Sequence, residues 1–249
     1  MSAVLFPQIA NFVFYAFSFA SKFKFILLSK SVKVVLLILL VLVIDQVSKI
    51  YIKTNFAYGD TYDLASWAKI HFVENPGMAF GIEFGGEYGK LALSLFRIVM
   101  VGFLGFYLSR LIKDGVSFGL AACFGLIFAG ALGNIIDSAF YGMIFTESSY
   151  HAKNAAQLVP WGEGYGKFLH GRVVDMLHFP LFEGYFPDGM PIWGGERYQF
   201  FRPVFNIADT AITVGVIALI LFHRDFFSGE FGEEKAKTNE PLPTTNENV

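Results

Sequence analysis

Four apolar segments are the feature that most restricts how this chain can fold. They cover approximately residues 32–52, 91–112, 118–141 and 204–222. An α-helix needs about 20 mostly apolar residues to cross the hydrocarbon core of a bilayer, and each segment meets that length approximately. Only 16% of the residues are charged, whereas soluble domains carry about a quarter. The sequence therefore predicts an all-α membrane protein, built as a four-helix transmembrane bundle.

The positions of lysine and arginine predict the orientation of this bundle. Basic residues precede the first segment, occupy the short turn between the second and third, and follow the fourth: Lys22, Lys24, Lys30, Lys33, Arg110, Lys113 and Arg224. With four spans, all of them lie on one side, and positive charge favours the cytoplasm. We therefore expect both termini in the cytoplasm and the long connections 53–90 and 142–203 on the periplasmic side.

The two ends of the chain differ from the four-span domain at residues 32–223. Residues 1–31 form an N-terminal extension with an apolar stretch that Pro7, Gln8 and Asn11 interrupt. We interpret it as an interfacial helix, with an extra span or a misassigned start codon as alternatives. Residues 224–249 are rich in Glu, Lys, Asn, Pro and Thr, a composition that predicts a disordered cytoplasmic tail.

Polar residues inside or beside the apolar segments predict a single site. An ionisable group in a membrane helix is costly, and its presence there indicates function. In the predicted topology these residues all lie near the outer membrane surface: Asp45, Lys49, Asn75, Gly77, Asn134, Asp137, Asp175, Asn206 and Asp209. Two structural alternatives remain open at this stage. Asp45 and Lys49 could form an ion pair that only neutralises both groups, and Asn134 and Asp137 could serve helix packing alone.

The residue types near this surface restrict the chemistry. Cys123 is the only cysteine, so neither an internal disulfide nor a cysteine metal cage can form. His170 and His178 flank Asp175, which leaves a metal site as a minor alternative. Two carboxyl groups that share a low-dielectric site titrate as a coupled pair, in which one keeps its proton. Such a pair can activate water and protonate a leaving amine. The net charge of −2 gives no indication of nucleic-acid binding.

Five sequence blocks in order resemble those of the lipoprotein signal peptidase family, also called signal peptidase II, aspartic peptidase family A8. The blocks are Asp45-Gln-Val-Ser-Lys49, Asn75-Pro-Gly-Met-Ala-Phe-Gly81, Gly130-Ala-Leu-Gly-Asn134-Ile-Ile-Asp137, Val173-Val-Asp175 and Phe205-Asn206-Ile-Ala-Asp209. Each block alone is weak. Five in this order, on four apolar segments of the expected orientation, are specific.

The resemblance implies an inner-membrane aspartic endopeptidase that removes signal peptides from diacylglyceryl-modified prolipoproteins by cleaving before the lipidated cysteine. It implies that Asp175 and Asp209 are catalytic. The other polar residues would shape the site or bind substrate: Asp45, Lys49, Asn75, Gly77, Asn134, Asp137 and Asn206. It also implies a small periplasmic β-cradle, with residues 70–73 as a strand, a long periplasmic loop before the last helix, membrane lipids as partners, and inhibition by globomycin-type peptides. Neither a metal nor an organic cofactor is expected.

Two departures from the family pattern concern the third block and the second connection. Ser138 follows Asp137, where the family usually has arginine, and Arg172 is a candidate for supplying that charge. Residues 142–170 and 180–200 lengthen the second connection, and their role is left open.

Two rival functions fit the sequence less well. A transporter or channel would spread its ionisable groups through the membrane depth and carry internal repeats, and neither pattern is found. A lipoprotein reading rests on the lipobox-like string Leu120-Ala-Ala-Cys123. That string lies within the third apolar segment, so we interpret its small residues as helix packing.

Overall fold

The computed structural model describes residues 29–76, 86–149, 154–180, 182–200 and 203–226. Residue Gly77, the interfacial helix predicted within the N-terminal extension, and the tail beyond residue 226 lie outside these described residues.

The described chain contains four long helices: α1 (Lys30–Asn55), α2 (Gly86–Lys113), α3 (Phe118–Ile136) and α4 (Ile207–Phe222). Polar side chains cap the amino ends of three of these helices. The hydroxyls of Ser29 and Ser117 accept hydrogen bonds from backbone amides of the first turns of α1 and α3, and Asn206 does the same for α4. These caps satisfy amides that have no partner within the helix, so the helices begin where the sequence changes from polar to apolar.

Among the described residues, three helices are long and apolar enough to cross a membrane: Lys30–Asn55, Gly89–Lys113 and Phe118–Ile144. The last includes α3 and its continuation. Helix α4 is apolar but has only 16 residues, a length of about 24 Å at 1.5 Å per residue. The predicted fourth span, 204–222, therefore begins too early, because Val204–Phe205 form a strand. Large side chains on α2 remain exposed, such as Phe96 and Val99, as expected for a surface in contact with lipid.

Glycines allow α3 to pack closely against its neighbours. A Cβ atom at Gly130 would lie 2.2 Å from the backbone oxygen of Ala208 in α4, and one at Gly133 would lie 2.7 Å from Asp45 Oδ2 in α1. Helix α3 thus lies between α1 and α4 at the height of the polar residues. Cys123 is buried in the same helix, which agrees with the interpretation of its small neighbours as packing residues.

A four-stranded antiparallel sheet lies beyond the helix ends, with the strand order β1-β2-β3-β6. Its strands are β1 (Thr61–Ala65), β2 (Ala68–Asn75), β3 (Val173–His178) and β6 (Val204–Phe205), and a separate hairpin consists of β4 (Phe182–Tyr185) and β5 (Arg197–Phe200). The strand predicted at residues 70–73 is confirmed within β2. The long connection predicted as a loop before the last helix is wrong as a loop, since three of these strands, β3, β4 and β5, lie within residues 142–203. The fold thus combines several apolar helices with a small antiparallel sheet.

The carboxyl end of α3 changes its winding next to the sheet. A π-helical turn (Asp137–Tyr141) follows α3, and one further helical turn (Gly142–Ile144) completes the helix. Backbone amides of the following connection bind carbonyls of this turn: Gly171 N donates to Ser138 O at 2.8 Å, and Leu169 N donates to Ala139 O at 3.2 Å. A Cβ atom at Gly171 would lie 2.1 Å from Asp137 O. Only glycine permits this approach, which brings the connection against the end of α3 just before β3 begins.

The predicted tail begins with ordered residues. Arg224–Phe226 form a 3-10 turn, and the Phe226 ring packs against the rings of Tyr107 and Phe124 at centroid distances of 6.4 and 5.4 Å. The packed domain therefore extends slightly beyond residue 223.

Candidate active site

Lys49 is the centre of a buried charged cluster between α1 and α3. Its Nζ lies 2.9 Å from Asp45 Oδ2 and 2.8 Å from Asp137 Oδ2, and it donates to Asn134 Oδ1 at 2.9 Å. Lys49, Asp45 and Asp137 are fully buried. Asp45 and Lys49 share a helix face, as predicted, but their pair does more than neutralise two charges within α1. It also binds two residues of the third block across the helix contact.

Gln46 and Tyr141 complete this cluster. Gln46 Nε2 donates to Asp45 Oδ2 at 3.1 Å and to Asp137 Oδ1 at 2.9 Å, while Tyr141 Oη donates to Gln46 Oε1 at 3.2 Å. Asp137 Oδ2 also accepts from the backbone amide of Val174 at 3.4 Å. Asp137 therefore connects the helices to the strand that carries Asp175.

The first turn of α4 brings Asn206 and Asp209 to the same place. They form a capping box: Asn206 Oδ1 accepts from Asp209 N at 2.9 Å, and Asp209 Oδ2 accepts from Asn206 N at 3.3 Å. The next free amide of the helix end, Ala208 N, donates to Asp45 Oδ1 at 2.9 Å. A negative side chain is favourable here because the amino end of a helix carries partial positive charge.

Two side-chain amides connect the carboxyl groups of Asp175 and Asp209. Asn206 Nδ2 donates to Asp175 Oδ1 at 2.7 Å and to Asn134 Oδ1 at 3.1 Å. Asn134 Nδ2 in turn donates to Asp209 Oδ1 at 2.8 Å. The orientation of Asn134 follows from Lys49, since the cation binds its oxygen and directs its NH₂ group toward Asp209. Each carboxyl group thus receives one hydrogen bond from a side-chain amide, and Asp209 accepts a second from the backbone amide of Asn206.

The environment of Asp175 favours its protonated form. Asp175 is 5% exposed, and its burial, followed by the nearby negative charge of Asp209, raises its pKa to about 7. Burial penalises the charged carboxylate, and a second carboxylate nearby adds repulsion. The hydrogen bond from Asn206 acts in the opposite direction. Asp209 and Asn134 are partly exposed, so the pair has an accessible side.

The other predicted site residues differ in how far the structure places them. Asn75 lies in β2 opposite Val173, and Val73 of the same strand lies opposite Asp175. Gly77 lies outside the described residues.

The two histidines proposed for a metal site have different contacts: His170 Nδ1 lies 2.9 Å from Phe168 O, whereas His178 is near His71. Within the described part of the chain, no group of three or more His, Cys, Asp or Glu side chains could hold a metal ion.

The expectation that Arg172 supplies the positive charge beside the third block is wrong. Arg172 lies 3.0 Å from Glu147 and 3.5 Å from Glu74, while the cation beside Asp137 is Lys49. Ser138 has its own contact, since its hydroxyl donates to Asn134 O at 2.9 Å. This hydrogen bond lies within one helix, so Ser138 does not require a charged partner.

Sequence reasoning missed several residues around the site. Gln46 lies inside the first block and could have been noticed there as a further polar residue in an apolar helix. Tyr141 gave no signal beyond following the third block. Arg97 of α2 interacts electrostatically with Asp209, and a cation in the second apolar segment was a signal that we did not use. A buried group formed by Lys53, Glu74 and Ser148 could be found only from the fold.

Comparison with known proteins assigns the chain to a family. The profile of the family described as "Signal peptidase (SPase) II" matches residues 37–224. This chain belongs to the signal peptidase II family. Proteins of this family are aspartic peptidases whose role is the removal of signal peptides from prolipoproteins.

Two relatives illustrate the similarity. The chain is 53% identical over 180 residues to the lipoprotein signal peptidase of Porphyromonas gingivalis, covering 72% of this chain and 77% of that protein. It is 38% identical over 186 residues to the lipoprotein signal peptidase of Amoebophilus asiaticus, covering 73% of each chain. A solved structure of a bacterial membrane enzyme overlaps with a TM-score of 0.48 at 24% identity, over 76% of this chain and 90% of that one. The family assignment is based on the sequence matches. It agrees with the apolar helices, which are those of an integral membrane protein.

Proposed function

We propose that this signal peptidase II cleaves diacylglyceryl-modified prolipoproteins before the lipidated cysteine, with Asp175 and Asp209 as the catalytic pair. The observation that carries this proposal is the hydrogen-bonded connection of the two carboxyl groups through Asn134 and Asn206. The groups come from a strand and from the first turn of an apolar helix. A pair at the junction of the sheet and the apolar helices can receive a peptide while the acyl chains of the substrate stay in lipid.

The two carboxyl groups divide the proton transfers. Asp175 holds a proton near neutral pH, because its pKa is raised to about 7. Asp209 acts as the base and removes a proton from a water molecule, whose oxygen attacks the carbonyl carbon of the scissile bond. Asp175 donates its proton toward the carbonyl oxygen. When the C–N bond breaks, Asp209 gives the proton taken from water to the leaving amine, and Asp175 takes back a proton from a hydroxyl of the diol intermediate. One water is thus added across the amide, and both carboxyl groups return to their starting states.

The surrounding polar residues hold this pair in place. Asn134 and Asn206 direct one amide hydrogen bond at each carboxyl group, and Lys49 fixes the orientation of Asn134. Asp45 and Asp137 balance the buried lysine charge, and Asp45 also binds the amino end of α4. We propose that Asn75 and Gly77 contact the substrate peptide from the first outer segment.

The proposed orientation places both termini in the cytoplasm and the site at the periplasmic face of the bacterial inner membrane, with the sheet as the periplasmic cradle. In this arrangement α1, α2, α3 and the shorter α4 are the four spans. The sequence distribution of basic residues supports this orientation. Globomycin-type peptides are expected to compete with the substrate at the same site.

Replacement of each aspartate by asparagine tests the function. Asp175→Asn and Asp209→Asn keep the shape of the side chain but cannot complete the proton cycle, so each should lower the cleavage rate by about 10²–10⁴-fold. The double variant should be little worse than either single variant, because partners that act as a unit do not add. The assay is a gel-shift measurement with a diacylglyceryl-modified prolipoprotein, with and without globomycin.

A matched control distinguishes chemistry from folding. Asp63→Asn makes the same change at a strand residue whose side chain is 70% exposed, and it should cleave at the normal rate. Near-normal cleavage by Asp175→Asn or Asp209→Asn would remove that residue from the pair. Normal cleavage by both would refute the aspartic mechanism.

A further inference from the structure

An exposed aromatic patch lies at the end of the third long helix, outside the proposed site. Phe140 belongs to the π-helical turn that follows α3, while Trp161 and Phe168 belong to the lengthened connection that follows. The Phe140 ring lies 6.0 Å from the ring of Trp161 and 5.7 Å from that of Phe168, measured between centroids. The three residues are 37%, 65% and 50% exposed. We call Phe140, Trp161 and Phe168 the outer aromatic patch, and the mechanism makes no use of it.

The length of the helix places this patch relative to a bilayer. The apolar helix covers Phe118–Ile144, or 27 residues, which is about 40 Å at 1.5 Å per residue. A hydrocarbon core of about 30 Å takes up about 20 of these residues. Counting from Phe118, beside the polar turn, the core ends near Asp137. Phe140 then lies about 5 Å beyond it, in the headgroup layer, where tryptophan and other amphipathic rings are favoured.

Backbone contacts hold the connection firmly at that height. Leu169, which follows Phe168, binds both neighbouring helices: its amide donates to Ala139 O beyond α3 at 3.2 Å, and its carbonyl accepts from Ser94 Oγ of α2 at 3.1 Å. Leu169 has a φ of 66°, a left-handed conformation that costs energy for a residue other than glycine. Lys90 Nζ also donates to His170 O at 2.6 Å. The patch is therefore fixed to the helix ends and does not lie at the tip of a free loop.

We propose that the outer aromatic patch binds phospholipids in the headgroup layer of the membrane that the helices cross. Phe140 belongs to the apolar helix Phe118–Ile144, so the patch continues the apolar surface of that helix, and Lys167 beside it is exposed as required for contact with lipid phosphates. The connection continues through Gly171 into β3 and Asp175. Binding of the rings to lipid thus fixes the height of Asp175 above the hydrocarbon core. This inference concerns lipid binding and does not depend on the identity of the catalytic pair.

Tryptophan fluorescence tests the proposal without any measurement of activity. The chain has three tryptophans, so the double variant Trp67→Phe/Trp193→Phe reports on Trp161 alone. The purified variant is placed in phosphatidylcholine vesicles whose acyl chains carry bromine either near the headgroup or near the terminal methyl. Bromine near the headgroup should quench the emission of Trp161 by roughly half, and bromine near the methyl should quench it less, since interfacial side chains enter only about 5–10 Å.

A reference variant gives the reverse order. In a background with all three tryptophans changed to Phe, Phe103→Trp places the probe at a 63% exposed position within α2, where the deeper bromine should quench more. Equal emission of Trp161 in brominated and plain vesicles, with Phe103→Trp quenched, would overturn the proposal. Protection of Trp161 from acrylamide in water without bromine quenching would also overturn it, because protein would then cover the patch.

Discussion

Lys53 allows a quantitative test of the buried group that fastens the sheet to the helices. Lys53 of α1 and Glu74 of β2 form an ion pair with fully buried side chains. Ser148 Oγ lies 3.1 Å from Lys53 Nζ and 2.8 Å from Glu74 Oε1. The lysine Nζ also lies 5.4 and 5.1 Å from the ring centroids of Phe145 and Tyr165. The group thus joins α1, the sheet and the connection after α3.

Removal of one charge should be far more harmful than removal of both. Lys53→Met leaves the Glu74 carboxylate buried, with Arg172 at 3.5 Å as the remaining cation. An uncompensated buried charge costs about 3–5 kcal/mol, and Arg172 favours the lower end. At about 2–4 °C per kcal/mol, a loss of about 3 kcal/mol lowers the melting temperature by about 6–12 °C. The double variant Lys53→Met/Glu74→Met should recover most of this loss, because apolar residues of similar volume replace a buried ion pair at little cost.

Thermal unfolding of the purified protein in detergent measures these differences. Lys69→Met is the matched control, since Lys69 pairs with Asp63 at 3.2 Å and these side chains are 29% and 70% exposed. Exposed pairs contribute about 0–1 kcal/mol, so this variant should melt within about 4 °C of the wild type. The reasoning fails if Lys53→Met is no worse than Lys69→Met. It also fails if the double variant loses as much stability as Lys53→Met and the single variant Glu74→Met lose together.

Three further predictions concern orientation, the third block and pH. Reporter fusions should give cytoplasmic signals at three positions and external signals at two: Lys30, Asp114 and Lys235 inside, Gly86 and Gly164 outside. An external signal at Asp114 would contradict the four-span orientation. Ser138→Ala should keep most cleavage activity, because it loses one hydrogen bond within the helix, whereas Asp137→Ala should lose stability or activity by leaving Lys49 with one carboxylate fewer; equal damage in the gel-shift assay would refute this assignment. The pKa of Asp175 is raised from 3.8 to about 7, so its protonated form contributes stability that is complete below about pH 4 and is lost as the pH rises through 7. The melting temperature of the wild type relative to Asp175→Asn should therefore fall from pH 4 to 7 and then level off; a difference that is constant with pH would show that the pKa of Asp175 is not raised.

Local patterns in the sequence predicted much of the helical part and of the site. Asp45 and Lys49 are four residues apart, and Asn206 and Asp209 are three apart. Both spacings bring side chains together through helix geometry alone, and the structure has the corresponding ion pair and capping box. The apolar segments predicted the helices to within a few residues at most ends, because length and hydrophobicity are properties of one segment. The start of α2, the end of α3 and the start of α4 were less accurate. At the last two, contacts with the sheet and with residues 169–171 decide where the winding changes.

Only the tertiary structure decided which charged groups form ion pairs. The sequence suggested Arg172 as the cation for the third block. In the fold, Asp137 pairs with Lys49, and Arg172 pairs with Glu74 and Glu147. The order of residues along the chain does not determine such pairings, because they join positions that are dozens of residues apart and depend on helix rotation. The pairing of Val73 with Asp175 across two strands is of the same kind. The sequence by itself determined that this chain enters a membrane, which family it resembles and which polar residues gather near one surface. The fold decided how the amides of Asn134 and Asn206 orient two distant carboxyl groups, because hydrogen bonds have direction and hydrophobicity does not.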